Sequence, residues 1–401
     1  MPSGRSLQMS ILSKSQAAEV ALLCRSKFFD IGSELDAVVT TDPIHIGYLS
    51  GYRTILHDMT RYRQAAIATR DQLFLVTGAS DGAAALETLT NPESIWRYGT
   101  FFVEQSPEIM GYRQMPQAEE DFVSALKAAL NRASLKGMRI GLDIAEPNEA
   151  ELIRGALSNC TFIDCGNILR QSRMLKLEGE LGLLRQASRI TDEAISIIHQ
   201  MIRPGVSELE IAGEISRHIV KHGGVPKFIV VTSGERSSRV DAYATSKPLA
   251  EQDLVRLDIG CTVNGYWSDM ARTLVVGEPT LKQQARYDTL LSGELAQFEL
   301  LKPGMIAAEL YDIAVGTVRA GALPNYNRNH CGHAIGLQAS EFPLLAAGQD
   351  TVLQPGMAFC IETPYYELGW GGMMVEDTAI ITENGHELLT NSSRSLIPVP
   401  T

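Results

Sequence analysis

Between residues 14 and 165 the chain alternates segments of two kinds of apolar patterning. SQAAEVALLCRSKFFDIG is rich in helix formers, whereas LDAVVTT, QAAIAT, QLFLVTG and MRIGLDI are short runs of β-branched and other apolar residues. Such alternation predicts an α/β domain, a sheet covered by helices. From Leu169 to His199, apolar residues at Leu183, Leu184, Ile190, Ala194 and Ile198 predict a helix that opens a second domain. The boundary is placed near Gly166, giving domains 1–166 and 167–401.

The second domain repeats itself. MIRPGVSELEIAGEISRHIVKHGGVP, Met201 to Pro226, aligns with LLKPGMIAAELYDIAVGTVRAGALP, Leu300 to Pro324, and each reads as a helix entered through Pro-Gly. In the first copy Ser207 and Glu210 carry a capping-box signature. Strands follow each helix, so the pattern predicts a duplicated half, each copy later supplying one acidic hairpin.

The first hairpin is set by Asn264-Gly265 between VRLDIG and MARTLVV. A two-residue turn there puts Val263 opposite Tyr266 and Gly260 opposite Asp269. Asp258 then becomes a diagonal neighbour of Asp269 on the same face, about 7–8 Å away at the backbone. In the second, Glu362 of FCIETPYY and Glu376 of MMVEDTAII flank Gly369, Gly371 and Gly372. Their even separation keeps both on one face if the turn has an odd number of residues. Between the hairpins, His333 sits in HCGHAIGL, flanked by Gly332 and Gly336.

A lone acid at a strand end is commonly a solvated surface group, and a lone histidine is commonly a satisfied polar residue. Four converging carboxylates are different, because without a cation they would repel and raise one another's pKa. Asp258, Asp269, His333, Glu362 and Glu376 together are the donor set that two hard divalent cations need to share bridging oxygens. Cys261, Cys331 and Cys360 lie within three residues of these positions, but in apolar strands or tight loops where cysteine is a small filler.

The segments LDIGCTVNGYWSDMARTL, CGHAIGL and IETPYYELGWGGMMVEDT resemble the metal-binding motifs of the pita-bread family of aminopeptidase P, prolidase, methionine aminopeptidase and creatinase. The likeness runs from about Leu169 to Thr390, and YLSGY more loosely resembles the creatinase-type N-terminal domain. It implies a creatinase-like N-terminal α/β domain followed by a pita-bread α+β catalytic domain with an internal pseudo-twofold repeat. It also implies two divalent ions, manganese first and otherwise cobalt, zinc or iron. Asp269 and Glu376 would bridge them, and Glu362 would double as general base. Creatinase-type relatives are dimers, so a homodimer is expected.

The chain also departs from that family. Peptidases of the family carry a histidine in a segment like GENAALPHGTPSDRKL, where GERSSRVDAYATSKPL here places Asp241. A second histidine, seven residues after the metal histidine, is replaced by Ser340, and an arginine two residues before the last glutamate by Met374. His330 stands three residues before His333, with Asn329 at the family's usual histidine position. These positions make Asp241 and Ser340 candidate substrate contacts and His330 a candidate proton donor. An acid at 241 could receive a cationic group of the substrate.

Composition narrows the partners. The 401 residues are 45% hydrophobic and 20% charged, as in a globular enzyme of two or three domains. A formal net charge of −12 disfavours nucleic acid and acidic membranes. The start MPSGRSLQMSILSK has no apolar core of signal-peptide length, and six scattered cysteines make no disulfide framework, so a cytoplasmic protein is expected. The expected activity is metal-dependent hydrolysis of an amide-type C–N bond. By resemblance the substrate is an Xaa-Pro peptide; the alternatives are hydrolysis or lytic cleavage of a small non-peptide metabolite, and a non-catalytic binding role.

Overall fold

The computed structural model describes residues 14–58, 63–104, 110–144, 146–157 and 159–399. The first thirteen residues, on which the signal-peptide expectation rests, lie outside this set. The chain forms two compact units, Met1–Arg173 and Met174–Thr401.

The first unit is built on six strands: β1 Ala37–Thr40, β2 Ala65–Ala68, β3 Leu73–Gly78, β4 Ile95–Tyr98, β5 Arg139–Asp143 and β6 Thr161–Asp164, in the order β4-β3-β2-β1-β5-β6. The runs singled out in the sequence fall on β1, β2, β3 and β5, and the first helix spans Lys14–Ile31. Helix Phe122–Ala133 turns Phe122, Ala125, Leu126, Ala129, Leu130 and Ala133 inward, a spacing that keeps one face apolar. That face packs on Val39, Ile67, Val76 and Ile140 of the sheet. Asp121 starts the helix by accepting a 2.8 Å bond from the Ser124 amide.

The helix expected to open the second domain departs from the sequence pattern. The stretch Leu169–His199 is not one helix but two, Gly166–Met174 and Glu178–Ile198. The break comes from a distant partner: the Lys176 amide donates to the Gly356 carbonyl at 2.8 Å. Helix Glu178–Ile198 then restarts with Glu180 accepting from the Leu177 amide at 2.8 Å.

The unit's main sheet contains β7 Val225–Ser233, β8 Leu254–Val263, β9 Tyr266–Trp267, β10 Met270–Val276, β11 Gly332–Ala334, β12 Glu341–Leu344 and β13 Ala358–Glu362. A two-stranded ribbon follows, β14 Tyr365–Glu367 and β15 Gly371–Met373, before the chain returns to the sheet as β16 Glu376–Ile381. The sheet order is β12-β11-β13-β16-β10-β8-β7, with β9 on β8. The C-terminal Ile397–Val399 runs parallel to β10.

The internal repeat is visible in matching backbone bonds. Helices Glu208–Lys221 and Ala307–Ala320 each have 14 residues. Leu249 donates to Val206 and Leu353 to Met305, both at 2.8 Å; Glu208 donates to Lys247 at 3.1 Å and Ala307 to Thr351 at 3.0 Å. Gly205 and Gly304 precede the two helices with φ of 89° and 87°, a left-handed turn that favours glycine. The predicted box at Ser207 forms in both directions, with the Ser207 amide 2.8 Å from Glu210 Oε2. In the second copy Glu309 accepts from the Ile306 amide at 3.0 Å. Among the described residues, no helix is long and apolar enough to cross a membrane.

Candidate metal centre

The two acidic hairpins meet at the centre of this sheet. Asn264 and Gly265 take φ of 46° and 81°, as a two-residue turn between right-twisted strands requires. Val263 faces Tyr266, and the same register carries on to Ile259 opposite Met270 and Asp258 opposite Ala271. In the second hairpin Glu362 lies directly opposite Glu376. The intervening ribbon keeps that register, Tyr365 facing Met373 and Glu367 facing Gly371, around the odd loop Leu368, Gly369 and Trp370. The hairpins join where Ala271 pairs with Glu376, and β11 sets His333 opposite Cys360.

This arrangement buries all five candidate ligands: Asp258, Asp269, His333, Glu362 and Glu376 are each no more than 9% exposed. One donor atom each from Asp269, His333, Glu376 and Cys360 lies within 4.8 Å of the others. His333 Nε2 is 3.8 Å from Asp269 Oδ2 and 3.9 Å from Glu376 Oε1, too far for hydrogen bonds. Asp269 Oδ1 is buried without a hydrogen-bond partner. Burial and the charges of Asp258 and Glu362 push Asp269 well above the usual carboxylate range. Burial and the charges of Asp269, Glu362 and Asp258 do the same to Glu376. Buried carboxylates that repel, one oxygen left unpaired, and an imidazole lowered by burial fit a divalent cation among them.

Two residues with no prior signal flank the cluster. Arg256, fully buried, reaches Asp258 Oδ2 at 3.1 Å and donates to the carbonyls of Ser237 (3.1 Å), Arg239 (3.0 Å) and Val240. Its place two residues before Asp258, on the same face of β8, is the sequence feature that could have revealed it. Arg328 Nη2 lies 3.3 Å from Glu362 Oε2, from a loop without periodic pattern. His330 Nδ1 is 3.1 Å from Glu362 Oε1, close but without an aligned hydrogen bond, and its ring centre is 5.9 Å from that of His333. Burial alone would raise Glu362; the His330 contact and the charges of Arg328 and His333 outweigh it and hold Glu362 below its ordinary range.

Asp241 is exposed, and its charge contributes to raising Asp258, after burial and the Glu362 charge. Ser340 is also exposed, in the turn before β12, and no hydrogen bond or ion pair among the described residues ties it to the cluster. Met374 is buried under the Tyr366 hydroxyl, 3.6 Å from its sulfur. Cys360 contacts the Thr378 hydroxyl at 3.6 Å, and burial with the Asp269 and Glu376 charges keeps its thiol protonated. A cleft of about 390 Å³ is lined by Arg286, Tyr326, Arg328, Pro364, Tyr365 and Tyr366, and reaches the cluster through Arg328, which touches Glu362.

The loop before Asp241 is locked to the ribbon. Gly372 donates to Ser237 Oγ at 2.7 Å, and a Cβ on Gly372 would lie 2.2 Å from the Ser237 carbonyl oxygen.

Carboxylates and an imidazole converging on a buried point beside an open cleft define a metal-dependent hydrolase. Residues 182–383 match the model of metallopeptidase family M24, and residues 32–175 that of the creatinase/prolidase N-terminal domain. The chain belongs to metallopeptidase family M24. It is 30% identical over 292 residues to a putative dipeptidase of Bacillus subtilis, covering 72% of this chain and 80% of the relative. An Xaa-Pro dipeptidase of Pyrococcus furiosus is 34% identical over 239 residues, 59% of this chain and 68% of its own. The solved Xaa-Pro dipeptidase of Bacillus anthracis superposes with a TM-score of 0.75 at 26% identity, covering 96% of this chain and 100% of that one. The creatinase-like and pita-bread expectations for the two parts of the chain therefore hold.

Proposed function

We propose that this chain is a metal-dependent Xaa-Pro peptidase acting on short peptides, with Asp258, Asp269, His333, Glu362 and Glu376 as its ligands. The burial of these five side chains, with donor atoms of Asp269, His333 and Glu376 within 4.8 Å of one another, in a family whose relatives include Xaa-Pro dipeptidases, supports the reading. Divalent ions held there would supply Lewis acidity, activating water and polarising the scissile carbonyl. Oxygen donors dominate the set, which favours manganese over softer-ligand metals, with cobalt, zinc or iron as alternatives.

The chain's own groups divide the remaining work. Glu362, held ionised by Arg328 and His330, accepts the proton of the attacking water. His330, 27% exposed at its side chain, delivers a proton to the leaving nitrogen. Asp241 lies where its charge reaches Asp258, and it receives the substrate's ammonium group. The resemblance to creatinase-type enzymes supports a homodimer, and six free cysteines support a cytoplasmic location.

The test is a side-by-side screen of Xaa-Pro dipeptides, longer Xaa-Pro peptides and small cationic amides, each with manganese, cobalt, zinc or iron. Xaa-Pro cleavage with kcat/KM of about 10⁴ M⁻¹s⁻¹ or more is expected. Efficient turnover confined to the non-peptide amides would overturn the peptide reading.

A further inference from the structure

A second group of donor atoms lies on two neighbouring helices, built from residues that the proposed activity does not use. Helix Glu178–Ile198 carries Glu193; helix Glu208–Lys221 carries His218, and His222 caps its C-terminal end. His218 and His222 are one helical turn apart and therefore share a face. One donor atom from each of the three residues lies within 4.8 Å of the others.

The details favour ligands over an ordinary ion pair. His222 Nδ1 is 2.8 Å from the His218 carbonyl oxygen. A carbonyl only accepts, so Nδ1 carries a proton, and in the neutral tautomer that this bond selects, the lone pair is on Nε2. This bond is the usual way a metal-binding imidazole is oriented. His218 is 4% exposed, and its Nε2 has no hydrogen-bond partner. That atom stands 3.6 Å from Glu193 Oε2, too long for a hydrogen bond. Two ligands about 2.0–2.2 Å from a tetrahedral zinc stand about 3.3–3.5 Å apart, so the spacing needs little adjustment.

The surroundings agree. Burial and the adjacent His222 lower the His218 pKa, which favours the neutral, ligating ring at neutral pH. Arg189 Nη1 holds Glu193 Oε1 at 2.8 Å, leaving Oε2 to face the histidines. Glu193 and His222 are half-buried, so an ion can enter from solvent.

We infer that Glu193, His218 and His222 form a further metal site, separate from the carboxylate cluster, for one zinc-class ion that clips the two helices together. Two imidazoles and one carboxylate suit zinc, copper or nickel better than the oxygen-rich cluster does. Three protein ligands leave a fourth position for water. The clip steadies the helix whose Thr191 Oγ1 lies 2.5 Å from Ser268 Oγ, next to Asp269, so its effect is on the support of the first acidic hairpin.

The experiment is zinc titration of the full-length, manganese-loaded protein, followed by equilibrium dialysis with metal analysis and by thermal unfolding. His222→Gln and Glu193→Gln change half-buried positions outside the catalytic machinery. The wild type is expected to hold one zinc per chain beyond the metal of the carboxylate cluster and to gain thermal stability on its addition. Both variants are expected to lose that zinc and that gain while keeping manganese-supported turnover within about twofold. Copper(II) at the site is expected to show electron-spin coupling to two nitrogens, reduced to one in His222→Gln. Equal zinc content and equal thermal gain in wild type and both variants would overturn the inference, as would a wild type holding no zinc beyond the cluster.

Discussion

The first strand of each acidic hairpin offers one carboxylate to the centre, yet Asp258 and Glu362 are shifted in opposite directions. Asp258 is pushed up to about 6, chiefly by burial, although Arg256 is only 3.1 Å away. Glu362 is just as enclosed but is held below its ordinary range by His330, Arg328 and His333. The difference lies in where the cations stand. Arg256 spends most of its donors on the carbonyls of Ser237, Arg239 and Val240, whereas Arg328 and His330 crowd Glu362 from two sides. Each half thus supplies one such acid, and the neighbours leave Asp258 raised by burial and Glu362 held ionised, which suits the ligand and base roles proposed for them.

The largest effect should come from removing the shared acids. Asp269→Asn is expected to abolish activity and to retain no stoichiometric metal after gel filtration, and chelation of the wild type is expected to do the same; metal analysis per chain checks this. A metal-replete, active Asp269→Asn would remove that acid from the ligand set.

Next, Glu362→Gln should keep the fold and lose at least about 100-fold in kcat at saturating metal, since general-base contributions are about 10²–10⁴-fold. Asp258→Asn, by contrast, should lose metal affinity first and recover part of its rate when metal is raised. If excess metal rescues both variants alike, the contrast between the hairpins fails.

A smaller change is expected from Arg328→Gln. Losing that positive charge makes Glu362 harder to ionise, so the acidic limb of the kcat profile should move to higher pH, with less than about a tenfold loss on the alkaline side. An unmoved limb would assign the depressed pKa to His330 and His333 alone.

The smallest effect is on stability. A carboxyl raised in the folded state binds its proton more tightly there than in the unfolded chain. Its contribution is therefore present below about 3.8 and is lost as pH rises through about 6, the position of Asp258. Bound cations relieve that loss, so the metal-induced rise in Tm should grow between about pH 4 and pH 7. Calorimetry with and without metal reads it, and a pH-independent rise would contradict the assignment.

Much of the centre could be read from the chain because short-range rules fix it. Asn264-Gly265 sets the first register, the even spacing of Glu362 and Glu376 sets the second, and both hold. The Pro-Gly repeat likewise announced two matching helices, which the structure gives 14 residues each. What stayed hidden depends on distant partners. Leu175-Lys176-Leu177 carries no helix-breaking residue, and the Gly356 carbonyl, far along the chain, takes the Lys176 amide where the helix stops. Arg328 gains its meaning solely from the fold that brings its loop to Glu362. In the first unit, β4 and β6 are the two edge strands of the sheet, and their polar residues, IWRY and TFID, break the continuous apolar run that marks the inner strands.

The lock between Gly372 and Ser237 bears on how such an enzyme can change its diet. With the Ser237 carbonyl 2.2 Å from where a Cβ would stand, no side chain at 372 leaves the loop before Asp241 undisturbed. Arg256 ties the same loop to the strand of Asp258. Variation there is thus channelled to the outward-facing Tyr243 and Leu368, 91% and 85% exposed, where selection can try new side chains while the buried acids stay in place.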